Sequence, residues 1–488
     1  MSELFPTLGH AVAGFFPTLW RGLRCFGRGL KKLGRAMLYI LPVLLVLHII
    51  ATLVTGSMLR REILRLTDAG VIVPREQLLP QVPEGERNAA DVYQQAFESL
   101  RISDIDEDKL WTTPRKDDPE LMVLAREVVA GNGRFFELLE EATSLRYCAF
   151  TVAWEDSPLA ITFPHFAEMR RCARMLVLRS EVQAADGHID EAVESCAMIL
   201  RMSRHVQESP MIIGQLVGYA MNNYAVGALE RVLSEGDPTA ATCQGLFDQI
   251  ADMEQVAAAV RAMRGELAIF GRPLFDEIRR GTMTFGDMLG VSGGVSTLSP
   301  SKRAVWRGVM GIGRPLINLD EIAYLGAMEE SVEAFGKPWP EASQRLEALE
   351  SHWEHQSSHL RTLTGLMMPV FSRFAWSRER TSAKLGAAQI ALALTAYAAE
   401  SGRYPDSLAE LEAGGWQLPV DPFSQDAFHY RWEGEGFVVW SVGPDMDDDG
   451  GRPLDREAVN DLARIRAMSE EELRSARDDY DIPFRCER

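Results

Sequence analysis

Apolar and polar positions follow three regimes along the 488 residues. Residues 36–58 carry no charge, and 38–53 are almost continuous Leu, Ile and Val. From 88 to about 367 apolar residues recur at helical spacing, whereas 428–441 alternate as strands do. At about 1.5 Å per residue the stretch 36–59 reaches about 36 Å, enough to cross a hydrocarbon core of about 30 Å. A cleaved secretory signal is the competing reading. The run is longer than a typical signal core, however, and no small-residue cleavage pattern precedes Arg60 and Arg61. An uncleaved transmembrane helix is therefore expected over 36–59. Pro42 is tolerated in such a helix, and His48 stands there without a titratable neighbour.

Residues 60–87, with Pro74, Pro80 and Pro83 among polar positions, read as a stalk. A helical array is expected over 88–379. Its first helix begins at 88–100, and dense helical periodicity follows over 166–185, 190–206, 211–233, 238–250 and 253–269. Short connections predict antiparallel neighbours. The sequence Gly187-His188-Ile189-Asp190-Glu191-Ala192 resembles the turn and second-helix start of a tetratricopeptide repeat. No 34-residue period recurs, so the expectation is a helical-hairpin array, suited either to a concave partner-binding face or to a plain spacer. Residues 281–300 are rich in Gly and Ser and read as a mobile loop. No strand precedes that loop and no Gly-Lys-Ser/Thr follows it, which excludes a phosphate cradle. Helices resume at about 303–309, 319–335 and 340–367.

Charge fixes an orientation. Arg21, Arg24, Arg28, Lys31, Lys32 and Arg35 precede the apolar run and Arg60, Arg61 and Arg65 follow it, so a cytoplasmic basic tail over 1–35 is expected. The bulk of the chain is then periplasmic, in a bacterial inner membrane crossed once. Residues 1–61 hold 8 Lys and Arg against 1 Glu, whereas 62–488 hold 43 cations against 69 carboxylates. Such an acidic body argues against nucleic acid as a partner. The repeated Phe-Pro-Thr-Leu at 5–8 and 16–19, before Trp20, fits either an interfacial element or a poorly ordered tail. Six scattered cysteines form no CxxC, and the apolar company of Cys172 and Cys196 points to buried thiols.

Two clusters could carry chemistry. His352, His355 and His359 fall at i, i+3 and i+7 of a helix beside Glu354, which would serve a metal-dependent hydrolase. The spacing is neither HExxH nor HxxEH, and a solvated polar face is the simpler reading. No GxSxG or catalytic cysteine context occurs. The second cluster, Asp445, Asp447, Asp448 and Asp449, crowds four carboxylates into five residues, where repulsion asks for a cation. Asp445-x-Asp447-x-Asp449-Gly450 begins like an EF-hand loop, but Arg456 holds the twelfth position, so a looser calcium loop or a solvated acid turn remains.

The acid loop closes an ordered series of elements: a helix over 381–405 ending in Ser401-Gly402-Arg403-Tyr404-Pro405, a short helical turn at 407–411, Leu418-Pro419-Val420-Asp421-Pro422-Phe423, and strands at 428–432 and 437–441. Gly402 suits a left-handed helix stop, Pro405 prevents continuation, and the alternating aromatics give one apolar strand face. This series resembles the periplasmic domain of the major pseudopilin of bacterial type II secretion systems over 380–455. The resemblance implies a small α+β module with calcium on Asp445, Asp447 and Asp449. Pseudopilins carry a leader and cleavage site absent here, and the span lies more than 300 residues upstream of the module, so assembly into a pseudopilus is not expected. The whole chain is similar to a group of large bacterial membrane proteins with a helical middle and a pseudopilin-like tail, a likeness that carries no activity. Residues 456–488 are expected as an acidic tail or helix.

The expected protein is mainly α: a transmembrane helix, a helical-hairpin array and a small C-terminal α+β module. The expected function is a membrane-anchored periplasmic interaction protein with an unidentified protein partner, an adaptor in envelope or secretion machinery. A metal-dependent hydrolase at 352–359 and a non-catalytic envelope spacer are the alternatives.

Overall fold

The computed structural model describes residues 38–102, 111, 118–155, 157–253, 255–283, 299–355, 362–367, 369–453 and 480–487. The chain is mainly helical, with one three-stranded sheet near its C-terminus. Its contacts divide it into two units, 1–62 with 278–322, and 63–277 with 323–488.

The first unit is built on the anchor helix Leu38–Asp68, 31 residues with an apolar stretch long enough to cross a membrane. From Leu38 to Leu47 this helix is exposed on every side, as a lipid-facing span must be. Its polar hydroxyls are satisfied by the helix itself: Thr52 donates to the His48 carbonyl and Thr55 to the Ala51 carbonyl, each at 2.8 Å. The long helix Pro300–Phe335 begins in this unit and carries Pro315 inside it. At their contact the Asn318 amide donates to the Thr55 hydroxyl at 3.1 Å and accepts from Arg279 Nε at 3.1 Å. Arg279 also pairs with buried Glu321.

The stalk expected over 60–87 differs from what forms. The anchor helix continues to Asp68, and Leu66, Val71, Ile72 and Leu78 are buried. The prolines only punctuate the segment, while four aliphatic side chains set its packing. Nor are the expected helices at 303–309 and 319–335 separate, since one helix runs through both. The loop expected over 281–300 lies largely outside the described residues.

The second unit is the helical body. The hairpin Pro164–Ala185 with Ile189–Gln207 follows the expected periods closely, and Ile212–Glu235 packs against both of its helices, whereas Ala240–Ala251 packs on Ile189–Gln207 and on the helix over 369–401. Gly187 makes the first turn at φ +82°, where a β-carbon would be strained. The 164–185 helix buries Arg179, which bonds Ser195 Oγ at 2.9 Å and Glu140 at 2.7 Å and lies over the Phe136 ring. Cys148, Cys172, Cys196, Cys243 and Cys486 are buried free thiols, and burial raises the first four.

The helix expected from 381 begins twelve residues earlier, as Pro369–Ser401. Arg378 and Glu379 look like a surface pair in sequence, but both are buried: they pair with each other, and Arg378 also donates to the Phe335 carbonyl at 2.7 Å. From Leu385 to Ala396 the same helix is buried nearly all round, between the 212–235 and 240–251 helices and the sheet. Helices and sheet thus share a single hydrophobic core, into which Phe428, Phe437, Val439 and Phe484 also point.

The sheet orders as β1 (His429–Glu433), β2 (Gly436–Ser441) and β3 (Ile482–Cys486), antiparallel throughout. The third strand ends the segment expected as an acidic tail or helix over 456–488, of which 456–479 lie outside the described residues. Ile482, Phe484 and Cys486 alternate inward, and Pro483 is tolerated because the strand is an edge. The outer side of β3 is not left open. Glu230 accepts the Arg485 N–H at 2.7 Å and Ser234 the Glu487 N–H at 3.1 Å, so the 212–235 helix covers the edge.

Candidate functional site

The acid loop leaves the end of β2, and three carboxylates hold the surrounding backbone. Glu410, on the short helix Leu408–Ala413, collects the Tyr397 hydroxyl and Arg403 guanidinium at 3.0 Å and the Asp406 N–H at 2.9 Å. These bonds, with Gly402 at φ +73°, fix the corner 401–405, and the Tyr430 hydroxyl ties it to the sheet through the Pro405 carbonyl at 3.0 Å. Asp421 is fully buried: it accepts from the Ser441 hydroxyl at 2.7 Å and from the N–H groups of Phe423 and Val442 at 3.0 Å. It therefore pins the 418–423 segment to the point where the acid loop begins. Gly443 then turns at φ +72°, with no room for a β-carbon, which would lie 2.1 Å from the Tyr480 carbonyl.

Within the loop the first carboxylates fold onto their own backbone. Asp445 accepts from Asp447 N–H at 3.3 Å, and Asp447 from Asp448 N–H at 3.0 Å. Asp448 is held by the Trp440 indole N–H at 2.8 Å, by Gly450 N–H at 3.0 Å and by His429 Nδ1 at 3.3 Å. The Trp440 hydrogen bond keeps its carboxyl below the usual range. Asp449 meets Arg452 at 3.4 Å. Beneath them lies Asp481, fully buried. Its Oδ2 accepts the Gly451 N–H at 2.6 Å, while its Oδ1 is buried with no hydrogen-bond partner among the described residues. Burial raises this carboxyl, and the charges of Asp448 and Asp449 push the same way.

Donor chemistry at this loop suits a hard, oxygen-seeking cation: clustered carboxylates above one buried carboxylate oxygen without a partner. Among the described residues, no three His, Cys, Asp or Glu side chains are gathered around one point as metal ligands. An ion here would have to draw Asp445, Asp447 and Asp449 together. Asp481 escapes sequence inspection because it follows Asp449 by 32 residues; its only signal is the Tyr-Asp-Ile-Pro-Phe-Arg-Cys alternation of a short strand.

The histidine cluster sits at the end of the helix Trp339–His355. His352 is exposed and meets the Trp353 ring edge-on. The side chain of His355 and the whole of His359 lie outside the described residues. Of two other histidines, His205 is buried and His165 half-buried. The Tyr93 hydroxyl meets His205 Nδ1 at 2.9 Å and the Leu145 carbonyl meets Nε2 at 3.0 Å. Because a carbonyl only accepts, Nε2 carries the proton and Nδ1 accepts from Tyr93. Burial lowers His205 and His165 to about 4.

A buried polar seam, not foreseen in the sequence, closes the hairpin end at 207–218. Gln215 donates to the Gln207 carbonyl at 2.7 Å, as does Arg261 at 2.8 Å. Gly265 lets a helix approach the Pro210 carbonyl more closely than any β-carbon would allow. There the backbone widens into a π-helical turn, Glu266–Gly271. Glu266, half-buried, accepts the Ile212 N–H at 3.0 Å and so caps the 212–235 helix from outside, and burial raises it to about 7.

Comparison with protein-family models, curated proteins and solved structures gives no match to the chain.

Proposed function

We propose that this chain is a bacterial inner-membrane protein with a cytoplasmic N-terminus, acting in the periplasm as an interaction protein that carries a calcium-stabilised, pseudopilin-like C-terminal module. Calcium is held by Asp445, Asp447 and Asp449, and its role is to order a surface that a protein partner in envelope or secretion machinery recognises. The length and the exposed apolar surface of the Leu38–Asp68 helix support the membrane assignment. The observation that carries the calcium reading is the buried Oδ1 of Asp481, which has no hydrogen-bond partner among the described residues and lies near Asp448 and Asp449. A cation beside it would offset its desolvation. When bound, calcium supplies the positive charge that the loop backbone and Arg452 supply only in part.

Metal analysis of the full chain in detergent, after dialysis against micromolar calcium and zinc together, tests this. Calcium at one equivalent, lost on Asp447→Ala, is the expected result. Stoichiometric zinc lost on replacing His352, His355 and His359 would instead favour the hydrolase, and absence of both metals would leave the envelope spacer.

A further inference from the structure

The first half of the long helix, 300–319, differs in character from the rest of the acidic chain. It contains Lys302, Arg303, Arg307 and Arg314 and no acidic residue. Along it, Val305, Val309, Ile312, Leu316 and Leu319 fall at intervals of four, three, four and three, which places them on one helical face. All five are between 40% and 73% exposed. The other side of the helix is engaged: Trp306 donates its indole N–H to the Met283 carbonyl at 3.2 Å, Arg307 lies against Gly281, and Pro315 and Asn318 are buried. A row of large aliphatic side chains turned away from those contacts is unusual on a protein surface facing only water.

Its position says what covers it. Asn318, one residue from the end of the stripe, bonds Thr55 of the anchor helix. Thr55 lies five residues before Arg60, so this contact falls about 7 Å inside the point where the apolar run ends. Beside it, Leu53, Val54 and Met58 are exposed. The Thr55–Asn318 contact therefore holds the stripe-bearing helix beside the apolar helix, at the level where the apolar run ends. Its four cations match anionic headgroups, and Trp306 is a residue type favoured at that depth. Three arginines and a lysine within the segment argue against a second full span.

We infer that the 300–319 helix lies in the headgroup–acyl boundary of the membrane that holds the anchor, with Val305, Val309, Ile312, Leu316 and Leu319 directed into the acyl region. Its occupant is an anionic phospholipid surface, and the chain meets the bilayer at two elements. This rests on the anchor being membrane-embedded, and the test separates the two claims.

The full chain carrying Cys25→Ser is reconstituted in vesicles of phosphatidylcholine and phosphatidylglycerol. Nitroxide labels are placed singly at cysteines replacing Leu44, Val305, Val309, Ile312, Leu316, Gly311 and Arg314. Collision rates are read with oxygen, which partitions into lipid, and with a water-soluble nickel chelate. The expected result is oxygen preference at 44, 305, 309, 312 and 316 and nickel preference at 311 and 314. Nickel access throughout 305–316 with oxygen preference retained at 44 would overturn the interfacial helix and leave the anchor standing. Shielding of 305–316 from both reagents would overturn it in favour of a protein partner. Loss of oxygen preference at 44 would overturn the anchor, and the interfacial helix with it.

Discussion

Asn318 donates its side-chain amide to the hydroxyl of Thr55 at 3.1 Å, buried, across 263 residues of sequence. The same amide accepts from Arg279, whose guanidinium is also paired with Glu321. A polar relay therefore grips the anchor helix near the end of its apolar run. Thr55→Val keeps the shape and removes the acceptor, so it should cost about 1 kcal/mol. Asn318→Leu strips Arg279 of its amide partner and should cost about 1–3 kcal/mol. Thermal unfolding of the full chain in detergent checks both, and equal stability of all three proteins would refute the relay.

Topology follows from the flanking cations, six before the span against three after it. A reporter enzyme active only in the periplasm, fused after Arg488, should be active. A full-length but inactive fusion would reverse the orientation.

Two groups shifted in opposite directions, His205 and Glu266, give opposing pH dependences. His205 is lowered from 6.5 to about 4, so between those values the unfolded chain holds a proton that the folded chain lacks. Its contribution is complete above 6.5 and lost as pH falls to 4, about 3 kcal/mol in all. Glu266 is raised from 4.5 to about 7, so the folded chain holds the extra proton. That contribution is complete below 4.5 and lost as pH rises to 7, by about the same amount. Glu266→Gln should therefore gain stability relative to the parent as pH rises from 4.5 to 7, and His205→Gln should gain as pH falls from 6.5 to 4. Denaturant titrations at four pH values decide it; parallel pH profiles for parent and variants would contradict both assignments.

Two glycines separate backbone strain from steric exclusion. Gly402 and Gly443 have φ +73° and +72°, but a β-carbon at 402 meets nothing within 4 Å, whereas at 443 it meets the Tyr480 carbonyl. Gly402→Ala should cost about 1–2 kcal/mol, the strain alone. Gly443→Ala should cost more and should expose β3, seen as faster amide exchange over 480–487. Equal costs would mean that Tyr480 does not pack against the turn.

Local patterns made the hairpins of the body readable: Gly187, the 3.6-residue periods and the alternating aromatics of β1 and β2 each act within a few residues of sequence. Pairings between distant segments were not readable. Arg378 and Glu379 resemble surface charges until Phe335 supplies a carbonyl, and Asp421 is only part of a turn until Ser441 and Val442 bond it. β3 is five residues whose partner lies more than forty residues upstream. The acid loop shows the same division. Its carboxylates and its place after the hairpin are plain in sequence, whereas Trp440 on Asp448, and Asp481 beneath the loop, depend on the folded sheet.

Hydrogen exchange on the full chain, with and without calcium, tests the central claim most directly. Ligand binding stabilises a fold by RT ln(1 + [L]/Kd), about 2.7 kcal/mol at a hundredfold excess over Kd. Calcium should slow exchange at 420–453 and 480–487 and leave the 164–235 hairpins unchanged, and Asp447→Ala should abolish the response. Equal protection with and without calcium in the parent chain would contradict a calcium-stabilised module.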